Sequence, residues 1–349
     1  MKIDRIFLFI LACLISSACA DLNYTEETTR DEDWTYEYYG DGLKNMVFDV
    51  YAQVYSGEFD SNSAYFLAGA TDEAQYALET GAVNNYVNGG WSTANPYSYT
   101  WEKSYRAIAE VCMFLEKLHK ADLSEWEHNS QYHNWVQQLE IFPYELRFLR
   151  AYFYFELFKT YGDVPLVTTT LTNAQANSVV RASADDVVKF IVDEIDEIAP
   201  HLPATYTIVP GTEIGRATSV AAYALKARTL LYAASPLHNP SNDKAKWEKA
   251  AEACKFILDN AKAWGLSLSS YGSLWGNDAF FNPEIIFGIG RNASNSFEMA
   301  HYPIGVENGS SGNCPTQSLV DQYEYQDNGE TFAQRYPGDI DLSSVNPYE

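Results

Sequence analysis

A chain of 349 residues with 46% hydrophobic content can bury a sizeable core without help from cross-links. Its 23 Lys and Arg stand against 47 Asp and Glu, a formal charge of −24, which excludes nucleic acid and any peripheral attraction to an anionic lipid surface.

Lys2 and Arg5 give residues 1–18 a positive start, residues 6–15 an apolar stretch, and Ser16, Ser17 and Ala18 the small side chains that precede a cleavage site at Cys19. This predicts a bacterial lipoprotein signal peptide over 1–18, with Cys19 as the lipidated residue. Ser16 stands where such signals usually carry Leu, Val or Ile. Ile10, Leu11 and Ala12 before Cys13 fit that local pattern better, but cleavage there leaves a hydrophobic stretch too short for export. Spanning a bilayer takes roughly 20 apolar residues, so anchoring through acyl chains on Cys19 is the expectation, with 19–35 as an acidic, polar tether. With Cys19 acylated, Cys112 and Cys254 read as buried free thiols on apolar helical faces, and a disulfide framework is not expected.

From residue 36 to residue 261, helices alternate with polar loops. Residues 36–55 carry Leu43, Val47, Val50 and Val54 on one stripe, and 101–118 carry Tyr105, Ile108, Val111, Cys112 and Leu115. Ser124 and Glu127 have the spacing of a capping box for a shorter helix starting near Trp126. Residues 145–165 (ELRFLRAYFYFELFKTYGDVP) place large apolar side chains on every side, so this helix must be the central one, and Gly162 with Pro165 ends it. Arg147 and Arg150 within it must find partners or stack on rings. Ser183 and Asp186 open a helix whose inner face carries Val187, Phe190, Ile191, Ile195 and Ile198 and which ends at Pro200.

Residues 216–234 and 247–261, both alanine-rich and joined by a Pro/Asn/Ser turn, resemble a tetratricopeptide-type hairpin of irregular period. Beyond residue 263, Gly, Asn, Ser and aromatic residues take over, and 284–288 (EIIFG) is the one short strand candidate. The fold class is therefore all-α: tetratricopeptide-like helical hairpins as a scaffold, little strand, and a loop-rich ligand face where specificity resides.

TDEA at 71–74, WEKSYRAIAEVCMFLEKL at 101–118, the aromatic helix at 145–165, GRATSVAAYALKARTLLYAASPLHN at 215–239 and EIIFGIGR at 284–291 occur in this order behind a lipoprotein signal. Together they resemble the SusD/RagB family over nearly the whole mature chain. The resemblance implies a helical, tetratricopeptide-like domain over 36–349 and no catalytic activity. It further implies a lipid-anchored place on the outer membrane, exposed at the cell surface of a Bacteroidetes-type bacterium. There such a protein caps a TonB-dependent, SusC-like transporter and hands over oligosaccharides, or in some members peptides. It also implies a further region after a segment like Asn346, Pro347 and Tyr348, so that 264–349 reads as an incomplete C-terminal part of a truncated chain.

Residues 81–101 (GAVNNYVNGGWSTANPYSYTW) contain no charged side chain. Tyr and Trp offer broad rigid faces at low entropic cost, while Asn and Ser offer adaptable hydrogen bonds. One face of a pyranose is C–H bonds and its rim is hydroxyls, so rings plus amides suit it. The candidate ligand-binding residues are Tyr86, Asn88, Trp91 and Tyr97, joined by Tyr302 from a second such region at 292–313 that also holds Phe297 and His301. Aromatics that merely pack on the scaffold are the plain alternative for each ring.

Other chemistries lack support. Asp185, Asp186, Asp193, Glu194, Asp196 and Glu197 read as a solvated helix face instead of a glycosidase pair. His128 and His133 do not share a helix face, and 327–330 reads as a turn, so no metal is expected. Nucleophile-elbow and phosphate-loop motifs are absent from the sequence, and no cofactor is expected. Three functions remain: a non-catalytic glycan carrier, a peptide carrier on the same scaffold, and a surface glycosidase.

Overall fold

The computed structural model of the protein describes residues 41–55, 59–60, 65–79, 81–97, 99–205, 215–274, 281–290 and 295–336. Cys19, the signal and tether segments, and residues 346–349 lie outside these described residues, as do residues 36–40 of the first expected helix.

The scaffold is helical, as its periodicity predicts. α1 (Asp41–Ala52) is followed by two short antiparallel strands, β1 (Phe59–Asp60) and β2 (Tyr65–Phe66), then β3 (Ala74–Tyr76) and α2 (Asn84–Asn88). The long helices are α3 (Tyr99–His119), α4 (Tyr132–Tyr161), α6 (Ala184–Ile198), α7 (Ser219–Ala234) and α8 (Lys244–Asn260), with a single turn, α5 (Asn173–Ala176), between α4 and α6. Each long helix packs on the next in the chain, while α1 lies against both α3 and α4. Past α8 come α9 (Ser296–His301), β4 (Asn313–Pro315), α10 (Gln317–Val320) and α11 (Phe332–Arg335). No helix among the described residues is long and apolar enough to cross a membrane.

α4 is the central helix that its all-round apolar character requires. Leu146, Leu149, Phe153, Tyr154 and Leu157 are wholly buried, and Phe142, Phe148, Phe155 and Phe158 nearly so. Gly162, at φ +71°, closes the helix with its N–H on the Phe158 carbonyl.

The two arginines inside this apolar helix are partnered. Arg147 bonds Glu194 and Glu197, Arg150 bonds Glu194 at 2.7 Å, and the Arg150 guanidinium also lies over the Phe190 ring. Glu194 is therefore buried, which corrects the reading of 185–197 as a wholly solvated face; Asp185, Asp186, Asp193, Asp196 and Glu197 are exposed as expected. A second buried pair joins Arg216 to Glu145, whose carboxylate also accepts from the Tyr51 hydroxyl at 2.7 Å. Removing one partner of such a pair typically costs about 3–5 kcal/mol, because the other charge is left buried alone.

Ser183 and Asp186 have the spacing of a capping box, of which the N-cap half forms: the Ser183 hydroxyl accepts the Asp186 N–H and donates to the Asp186 carboxylate, which does not reach back to the Ser183 N–H. The Ser124 and Glu127 capping box does not form. Asp122 accepts the Ser124 N–H at 2.9 Å, residues 124–126 make one 3-10 turn, and α4 starts only at Tyr132, running on through Pro143. The 284–288 segment is not a strand. Glu284 lies in a turn, with the Ile285 N–H on the Asn282 carbonyl, and the irregular backbone after it packs Ile286, Phe287 and Ile289 on the core, with Phe287 edge-on to Phe148 at 5.3 Å.

α7 and α8 form the expected hairpin, whose turn is tied by buried Asn239: its amide donates to the Asp243 carbonyl and its Oδ1 accepts the Asp243 N–H at 2.7 Å. Cys112 is buried, but Cys254 is exposed, contrary to expectation. α8 packs chiefly on α7 and fully buries Ala250 alone, leaving the flank that carries Cys254 outside the contact.

Candidate functional site

The charge-free segment begins where the chain has no room for side chains. A Cβ on Gly81 would lie 2.2 Å from the Tyr76 ring, so glycine lets the strand β3 residue Tyr76 and the buried Val83 make a small core of their own. α2 then ends at Gly89, whose φ of +70° suits glycine, and the Gly90 N–H bonds both the Asn85 carbonyl and the Asn88 Oδ1. A Cβ on Gly90 would come within 2.1 Å of the Asn85 side chain. This tight reversal returns Trp91 onto Tyr86.

A second turn comes next: Ser92 and Asn95 exchange backbone hydrogen bonds, and the Asn95 amide donates to the Gly90 carbonyl at 2.9 Å. Tyr97 then meets the other two rings. The Trp91–Tyr97 centroids are 5.4 Å apart, Tyr86–Trp91 5.9 Å and Tyr86–Tyr97 6.0 Å, at interplanar angles of 71°, 78° and 55°. Edge-to-face contacts of this kind add to burial and fix ring positions. Tyr86 is exposed, while Trp91 and Tyr97 are half-buried; the Trp91 Nε1–H is buried with no acceptor among the described residues.

Tyr161, in the last turn of α4, holds the cluster to the scaffold. Its hydroxyl donates to the Tyr97 carbonyl at 2.9 Å and accepts the Trp101 N–H at 3.1 Å, satisfying a first-turn donor of α3. Burial raises its pKa, so the hydroxyl stays a donor through the physiological range. In the sequence, Tyr161 is one of many large side chains of the all-round apolar segment 145–165, with nothing in its spacing to set it apart. The signal available was a Tyr at the helix terminus, where a Phe would have served packing alone.

The second region docks beside the first. β3 and β4 pair antiparallel, with Ala74 opposite Pro315 and Tyr76 opposite Asn313, and the Thr316 N–H bonds the Glu73 carbonyl. Tyr302 caps the end of α9, is exposed, and accepts the Ser311 N–H at 2.8 Å through its carbonyl. It belongs to this neighbouring loop and is not one of the three mutually packed rings. Asn88 is exposed, with its Oδ1 spent on the Gly90 turn. The Phe297 side chain falls outside the described residues.

Neither of two cavities in the scaffold contains these residues. One, about 530 Å³, lies between α3 and residues 165–179 and is lined by Trp101, Tyr105 and apolar side chains; the other, about 830 Å³, lies among α6, α7 and α8, crossed by the Lys226–Asp196 and Lys246–Asp185 ion pairs. Of the three rings, Tyr86 is exposed and Trp91 and Tyr97 are partly so, which leaves ring surface open to solvent. His128 and His133 are on the surface, and no group of His, Cys, Asp and Glu suited to a metal occurs among the described residues.

Comparison with known proteins places this architecture. A curated SusD-like protein of Formosa agariphila is 22% identical over 192 residues, covering 55% of this chain and 32% of its own length. A crystal structure of a SusD-like protein from Bacteroides fragilis shares 24% identity at a TM-score of 0.66, covering 90% of this chain and 59% of that one. A SusD-like carbohydrate-binding protein from the same organism also shares 24% identity at a TM-score of 0.66, covering 88% and 56%. The chain thus spans well under two thirds of the length of these relatives. The SusD-like family, described as starch-binding and associating with the outer membrane, matches residues 28–231, more than half of the chain, and the protein belongs to that family.

Proposed function

We propose that this protein is a non-catalytic surface lipoprotein that binds oligosaccharides and delivers them to a TonB-dependent, SusC-like outer-membrane transporter, anchored through acyl chains on Cys19. The observation that carries the binding half is the triad of Tyr86, Trp91 and Tyr97, held on a rigid helix by Tyr161 within a segment free of charge. Rings on a fixed support stack against the C–H face of a sugar, and the donor groups of exposed Asn88 and Ser92, whose oxygens alone serve the turns, meet its hydroxyl rim. The buried Trp91 Nε1–H has no acceptor among the described residues, a cost of about 1–3 kcal/mol that a glycan hydroxyl reaching the turned ring would remove. Asn88 and Tyr302 flank the platform as further contacts in this reading.

The test is calorimetric titration of the chain from residue 19 onward, carrying Cys19→Ser, against plant, host and microbial oligosaccharides, with product analysis of the same mixtures. Binding with unchanged saccharide is expected. Release of shorter sugars would make the protein a surface glycosidase, and binding to peptides alone would move it to the peptide-carrying branch of the family. Transporter partnership is tested separately, by co-purification of a barrel protein with the native lipoprotein.

A further inference from the structure

The positive charges of this chain are not scattered. No Lys or Arg occurs between Lys44 and Lys103, and none between Arg291 and Arg335, although acidic residues continue through both stretches. The antiparallel pairing of β3 with β4 brings these two stretches together, and the ring triad and Tyr302 both lie inside them. These two segments thus adjoin through β3 and β4 with no Lys or Arg of their own, and Asp72, Glu73, Glu79, Glu298 and Glu307 within them are exposed.

The cations at the edges are engaged elsewhere. Lys44 lies over the Phe48 ring, Lys103 sits 4.5 Å above the Tyr55 ring and 5.7 Å from Tyr99, and Arg335 forms two hydrogen bonds to Asp327. Proteins that bind sulfate or carboxylate groups on a ligand supply Arg, Lys or converging backbone N–H groups. Here the polar groups ordering the loop turn inward: the Gly90 and Asn95 N–H groups, and the side chains of Asn84 and Asn95, are spent on the turns themselves. An anion on this platform would lose hydration with no Lys or Arg in either segment to receive it, while the exposed carboxylates of the same segments repel it.

We infer that this platform selects uncharged glycan chains and rejects sulfated or uronate-bearing ones, an inference that rests on the glycan-binding reading and specifies its ligand. The selection is electrostatic, so it weakens as salt shortens the screening length from about 30 Å at 0.01 M to about 8 Å at 0.15 M.

Affinity electrophoresis of the chain from residue 19 onward, carrying Cys19→Ser, against matched pairs of polymers tests this: amylose, laminarin and xylan, each beside its sulfated derivative. Every neutral polymer that retards the protein should do so at least about tenfold more strongly than its sulfated partner at low salt, with the gap narrowing in 0.3 M NaCl. The double variant Glu79→Lys/Glu307→Lys, altering one exposed carboxylate on each segment, should narrow the gap at low salt while leaving neutral binding within about twofold. Equal or stronger retardation by the sulfated polymers overturns the inference and leaves the glycan reading standing. Retardation by none of the polymers, neutral or sulfated, overturns both.

Discussion

Tyr161 performs two tasks that a phenylalanine in its place would divide. The ring completes the apolar surface of α4 and packs against Trp101 at 5.4 Å, while the hydroxyl bridges the Tyr97 carbonyl and the Trp101 N–H. Tyr161→Phe keeps the first task and removes the second, so a stability loss of about 1–2 kcal/mol and a several-fold weaker glycan affinity are expected together. Trp91→Ala and Tyr97→Ala differ in kind. Both rings are half-buried on an outlying loop, so each substitution should weaken binding about tenfold or more while far-UV circular dichroism and melting temperature stay nearly unchanged. Titration calorimetry beside thermal melts separates the two classes. Should Trp91→Ala lower stability in proportion to affinity, the ring is a packing residue and the platform reading fails.

At the scale of elements, what the sequence made legible depended on whether a signal was local. The core faces of α1, α3, α4 and α6 follow from periodicity, and the cap of α6 follows from Ser183 and Asp186, because both signals lie within a few residues of their effect. The failures involve partners that are distant. Glu194 resembles its solvated neighbours until Arg147 and Arg150, more than forty positions away, are placed against it. Residues 284–288 have strand composition but meet a helix instead of another strand. The aromatic residues of 81–101 were visible as candidates, yet their convergence into one triad depends on two turns and on Tyr161. The same contrast orders local stability. Residues 141–158 of α4 include no exposed side chain, whereas α8 fully buries Ala250 alone and leaves Trp247, Phe256 and Leu258 exposed among the described residues. Native-state hydrogen exchange should therefore show α8 amides opening well before those of α4, by a sub-global event that spares the core. Equal protection of the two helices would mean that α8 is fixed by contacts beyond those described.

For the molecule as a whole, a charge of −24 sets surface repulsion against buried attraction. The Arg216–Glu145 pair and the Arg147–Glu194–Arg150 cluster are shielded from solvent, so salt screens them little, whereas repulsion among exposed carboxylates is screened strongly. Added salt should thus raise the melting temperature at pH 7. Mild acidification acts in the same direction. Glu110 has a raised pKa, chiefly through burial, so the folded state binds its proton before the unfolded state does, and stability increases as pH falls through that raised value. Glu197 works oppositely: its hydrogen bonds to Arg147 lower its pKa, so its contribution is present above the unfolded value of about 4.3 and disappears as pH falls through the lower, folded one. Glu116, held low by its bonds to Thr170, has the same sign. The melting temperature should pass through a maximum in the weakly acidic range, above about pH 4.3, and fall steeply below it. The rise from pH 7 toward that maximum should be smaller in 0.3 M NaCl, where repulsion is already screened, while the acid-side fall persists because it depends on close, bonded pairs. Scanning fluorimetry from about pH 2 to 8 at two salt concentrations reads all three features, and a melting temperature that drops on adding salt at pH 7 would show that attraction between surface charges outweighs their repulsion.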